Sequence, residues 1–109
     1  MKAQGMIVLV NTLTGDLGMP FYQSLVTDGS ISRGEFDGTR SHLAAIVAAL
    51  RKVPPDKIEA MFAQHYDRLT EDMEKYNAVR GMDILGGFRH AQILAGRITT
   101  IMAKSGLQE

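Results

Sequence analysis

Ten residues, Thr27-Asp28-Gly29-Ser30-Ile31-Ser32-Arg33-Gly34-Glu35-Phe36, put oxygen-bearing side chains at intervals that suit a bound cation. Asp28, Ser30, Ser32 and Glu35 follow one another two or three residues apart, with a glycine beside the first. Calcium takes about 6–8 oxygen ligands, so four such residues are half a site at most. The same letters also spell the start of a helix. Ser32-x-x-Glu35 is a capping box, in which the serine hydroxyl accepts from the Glu35 N–H and the Glu35 carboxylate returns to the Ser32 N–H. Asp28-Gly29 supplies the turn before it, because glycine tolerates positive φ. Ile31 precedes the cap, where it can staple onto the new helix.

The spacing of Gly29, Ile31 and Glu35 resembles the second half of an EF-hand loop, with glycine sixth, a hydrophobic residue eighth and glutamate twelfth. On that resemblance Asp28 stands fifth, Ser30 seventh through its carbonyl, and Ser32 ninth. The first half departs from the pattern. Ser24 falls at the first position and Val26 at the third, where the loop needs oxygen ligands. Capping accounts for the same residues without missing ligands, so no calcium activity is carried over and no metal site is expected.

Other titratable groups are scattered. His42, His65 and His90 fall in three different segments, without H-x-x-x-H or HExxH spacing. His65 lies in an apolar stripe beside Asp67, as a hydrogen-bonded core histidine would. Asp67, Glu71, Asp72 and Glu74 make an acidic cluster that reads as a solvated face. Arg80, Arg89, His90 and Arg97 form a modest basic edge, open to phosphate, to an acidic partner or to acidic residues of the chain itself. With Met73 and Tyr76 they are the expected partner-binding residues. The chain carries no P-loop, no G-x-S-x-G and no G-x-G-x-x-G, and Leu85-Gly86-Gly87-Phe88 follows no clear strand. No catalytic residue and no cofactor is expected, and the chain reads as a non-enzyme.

Composition narrows the classes further. The 109 residues suit one domain, 1–109, with one modest core. Hydrophobic residues make up 45% and charged ones 22%, which excludes a disordered chain. Twelve basic residues balance twelve acidic ones, so net charge is zero. That argues against a non-specific nucleic-acid binder, which is clearly basic, and against a charge mimic of DNA. There is no cysteine, hence no disulfide and no thiolate chemistry. The apolar run Met6 to Val10 is too short for a signal-peptide core or a membrane span, so a cytoplasmic, membrane-free protein is expected.

The elements that must position these residues read as helices. Met6 to Val10 is apolar and β-branched, a short N-terminal strand or one helical turn, and Gly15 and Gly18 make Asn11–Gly18 a loop. Pro20 opens a short helix with Phe21, Leu25 and Val26 inward. Leu43, Ile46, Val47 and Leu50 mark an amphipathic helix that begins near Ser32 and stops before Pro54-Pro55. Pro55 opens a third long segment, whose stripe is Ile58, Met61, Phe62, His65, Leu69, Met73 and Tyr76. Its pairs Glu71–Lys75 and Arg68–Asp72 solvate the outer face. Gly81 stops it. The last helix buries Phe88, Ala91, Leu94, Ala95, Ile98, Ile101 and Met102, with Lys104 near its end and Gly106 as a cap. The expected architecture is all-α, a bundle of about four helices with one possible N-terminal strand.

Three functional readings follow. Long apolar stripes and seven methionines suggest that another chain covers part of the surface. The first reading is therefore a non-enzymatic protein–protein interaction module, an adaptor, assembly chaperone or inhibitor that forms homo-oligomers. Its size suits a phage or mobile-element protein directed at a host system. The second is a helix-turn-helix DNA-binding regulator built from segments 19–28 and 32–52, with Arg33, Arg40, Arg51 and Lys52 reaching the duplex. The third is a helical oligomer whose histidines and arginines converge on a ligand or catalytic site between subunits.

Overall fold

Met6, Val10, Leu13 and Leu17 recur at helical spacing, and all four are buried. In the computed structural model, which describes residues 2–106 and the side chains of 5–106, they form one stripe of a single helix, α1 (Lys2–Leu17). Residues 1 and 107–109 of the expected domain lie outside the described residues. The expected strand and the Asn11–Gly18 loop are thus corrected: the described residues contain no strand. Gly5 and Gly15 sit inside the helix, and Thr12 and Thr14 each donate to the carbonyl four residues back at 2.8 Å. The core stripe outweighs these weak formers, each glycine costing about 1 kcal/mol relative to alanine.

Five more α-helices follow: α2 (Pro20–Thr27), α3 (Arg33–Arg51), α4 (Pro55–Phe62), α5 (Tyr66–Arg80) and α6 (Ile84–Lys104). Pro20 and Pro55 each open a helix, where the missing N–H is not needed. In α2 it is Tyr22 with Leu25 that turns inward, while Phe21 stays partly exposed against the Tyr22 ring. The stretch between α2 and α3 is a capped turn. Asp28 accepts from the Ser30 N–H at 2.9 Å, Gly29 has φ 81°, and Ser32 accepts from the Glu35 N–H at 3.0 Å. The capping box is only half made, because the Glu35 carboxylate is drawn away to α6.

The third long segment is broken where the letters offer no breaker. A 3₁₀ turn, Ala63–His65, separates α4 from α5. Helix α4 packs on α1 and α6, whereas α5 lies along α6. No proline or glycine marks the break; the different partners of the two halves decide it. The expected stripes of α3 and α6 are both buried as read. Helix α3 is central, against α1 on one side and α6 on the other. A single apolar cluster runs through all six helices, each fully buried Leu, Ile or Phe contributing about 1.5–3 kcal/mol. The stripes that suggested a covering partner are thus largely covered by the chain's own helices.

Candidate functional site

The basic edge expected from the sequence separates into three ion pairs, each with a carboxylate of the chain itself. Arg80, at the end of α5, meets Asp16 of α1. Arg89 of α6 meets Glu35 of α3. Arg97, two turns further along α6, stands 2.6 Å from Asp72 of α5. His90 is half-buried on α6, and Met73 packs against the core.

Around Asp16 a largely buried polar network joins three helices, α1, α2 and α5. The Tyr22 hydroxyl donates to the Tyr76 hydroxyl at 3.0 Å, and Tyr76 donates to Asp16 Oδ2 at 2.9 Å. Both tyrosines are completely buried. Burial pushes both phenols above their ordinary range, so they stay protonated and act as hydrogen-bond links. Gly87 lets α6 approach closely enough to close this corner. A Cβ there would lie 2.7 Å from the Tyr22 hydroxyl and 2.9 Å from Arg80 Cα. The Gly86-Gly87 pair therefore serves helix packing rather than a phosphate loop.

A second polar seam binds α3 to α6. Gln92 Nε2 donates to Glu35 Oε2 at 3.0 Å and to Thr39 Oγ1 at 3.2 Å, and Arg89 donates to Glu35. The Gln92 amide and the Arg89 guanidinium hold the Glu35 carboxyl below its usual range. His42 lies 2.7 Å from the Thr99 hydroxyl on the same seam. The three histidines thus sit in different places: His42 on this seam, His65 in the 3₁₀ turn, His90 on α6. Among the described residues, no three His, Asp or Glu side chains are grouped to hold a metal ion.

Sequence reasoning placed Asp72 on a solvated face. It is 6% exposed, with Arg97 on one oxygen and Arg68 Nε 3.6 Å from the other. A lone aspartate in a charged helix gives no warning of this, because its second arginine comes from α6, 25 positions later in the chain. Glu71–Lys75, by contrast, is the exposed pair expected, at 3.2 Å.

Three of the five large exposed apolar side chains among the described residues lie near one corner, while Val8 on α1 and Ile93 on α6 are exposed elsewhere. The Asp16–Arg80 pair and the Gly87–Tyr22 contact hold the α1–α2 turn beside the α5–α6 turn. Met19, on the first, and Phe21, in the first turn of α2, are 47% and 36% exposed, and Met82, on the second, is 84% exposed. No family model, curated protein or solved structure matches the chain. No helix among the described residues is long and apolar enough to cross a membrane.

Proposed function

We propose that the chain is a non-enzymatic protein–protein interaction module that self-associates through the corner formed by Met19, Phe21 and Met82. The observation that carries this reading is the exposure of Met82, Met19 and Phe21 at chain turns that a half-buried ion pair braces against each other. Methionine adapts its shape to a partner surface, and rigid turns present it at little entropic cost. Zero net charge leaves no long-range repulsion between copies. The expected partner-binding arginines support the corner indirectly: Arg80 holds it together, while Arg89 and Arg97 tie α6 to α3 and α5. An adaptor or inhibitor role fits a small all-α domain of this kind.

The helix-turn-helix reading draws less support. Its second helix would be α3, which is packed on both α1 and α6, and Arg33 there is paired with Asp37 at 3.4 Å. Light scattering over a range of protein concentrations tests the proposal. The native chain should pass from monomer to dimer, and Met19→Lys with Met82→Lys should stay monomeric with unchanged helicity. Calcium should leave both masses unaltered. A native chain that remains monomeric at every concentration sinks the self-association reading.

A further inference from the structure

We propose that a cleft between the 3₁₀ turn, the first turn of α5 and the C-terminal half of α6 binds a small phosphate monoester. The cleft has a volume of about 420 Å³, within the range of small-molecule sites. Its rim carries His65, Arg68, Arg97 and Lys104, and no acidic residue lines it among those described. Three permanently charged cations, Arg68, Arg97 and Lys104, therefore face one carboxylate, Asp72, which is buried and paired with the two arginines. Two positive charges are left over, and a phosphate monoester carries roughly −1.5 to −2 at neutral pH.

The geometry of the arginines favours an oxyanion. Asp72 engages both through Nε, at 3.6 Å for Arg68 and 2.6 Å for Arg97. The Nε–H of Arg97 makes no aligned hydrogen bond with that carboxylate, although both atoms are buried. Asp72 thus holds the guanidinium groups by charge along one edge and leaves their terminal nitrogens to a ligand. Planar N–H forks suit the paired oxygens of phosphate. Lys104 adds a mobile point charge at the end of α6.

The remaining lining selects an ester over the free ion. The lining presents more apolar than polar surface, with Leu69 and Ile101 flooring the cleft between the aliphatic stems of the cations, and Gly96 and Thr100 keep the α6 side low. An inorganic phosphate ion would use the cations and leave this floor wet. A monoester places its organic body against this apolar floor and the stems beside it and gains from their desolvation.

The test is an amide chemical-shift titration of the full chain at constant ionic strength, with phenyl phosphate, inorganic phosphate and sodium chloride as separate probes. Phenyl phosphate should shift residues 65–69 and 96–104 saturably, with half-saturation at about 1 mM or tighter. Inorganic phosphate should bind at least tenfold more weakly. Gly96→Glu places a carboxylate in the cleft, and a Cβ at that position meets no other atom within 4 Å. That variant should melt no lower than the native chain and lose at least tenfold in affinity, and Lys104→Glu should lose as much affinity. Equal binding by Gly96→Glu and the native chain overturns the site. Equal shifts with phenyl phosphate and with chloride overturn it too, and equal affinity for inorganic phosphate overturns the choice of an ester.

Discussion

Gly87 and Gly96 lie on the same helix, and replacing each by alanine should move stability in opposite directions. Alanine gains about 1 kcal/mol of helix propensity at either place. At Gly96 nothing lies within 4 Å of the new methyl, so the gain is kept. At Gly87 the methyl would stand 2.8 Å from Arg80 Cβ and 2.9 Å from Arg80 Cα. Backbone cannot step aside as a side-chain tip can, so α5 and α6 must part. Overpacking of this kind costs about 1–3 kcal/mol. The methyl also falls 2.7 Å from the Tyr22 hydroxyl, and disturbing its bond to Tyr76 costs about 0.5–1.5 kcal/mol more. Gly87→Ala should therefore lose about 2 kcal/mol net, and Gly96→Ala should gain about 0.5–1 kcal/mol. Urea denaturation followed by circular dichroism reads both. With a slope of about 1–2 kcal/mol/M, the midpoint should fall by about 1–2 M for Gly87→Ala and rise by about 0.5 M for Gly96→Ala. A Gly87→Ala midpoint at or above the native value would refute the close approach of α6 to Arg80 and Tyr22.

Two further outcomes follow from the polar networks. Tyr76→Phe removes both the donor to Asp16 and the acceptor for Tyr22, and should cost about 1–3 kcal/mol in urea, because a buried hydroxyl is left without a partner. Tyr22→Phe leaves the Tyr76–Asp16 bond intact and should cost less; the reverse order would refute the direction of the chain. Glu35 is held below its usual range by Gln92 and Arg89. Its folded-state value is depressed, so its stabilisation is present above the ordinary carboxylate range and lost as pH falls through the folded value. Glu35→Gln should therefore melt lower than the native chain at neutral pH, and the two melting curves should converge only in acid, below the ordinary carboxylate range. A gap that persists in acid would assign the difference to something other than this charge.

Part of the interior was legible from spacing alone. The apolar stripes of α3 and α6 repeat at 3.6 residues without interruption, and such a pattern can be buried only one way. The Ser32 cap and the prolines that open α2 and α4 are local devices, decided by backbone groups within a few residues. The stripe of α1 was equally present at Met6, Val10, Leu13 and Leu17. It was masked by a β-branched run and by Gly15 and Gly18, read as breakers, although the core outweighs the helical penalty of Gly15 and the helix ends just before Gly18. The break at Ala63–His65 had no local mark, because α4 and α5 answer to different neighbours.

Charge was where letters and structure parted most. The sequence by itself determined which residues are basic or acidic, and that the totals cancel. It also determined that the chain is helical and carries no cysteine chemistry. Only the tertiary structure decided that Arg80, Arg89 and Arg97 each meet a carboxylate from another helix. It alone buried Asp72, set Met82 out in solvent and ringed one cleft with cations. The physical reason is range. Helix periodicity and capping act over a turn or two of chain, whereas an ion pair or a cleft depends on distances between helices that only the packed core sets.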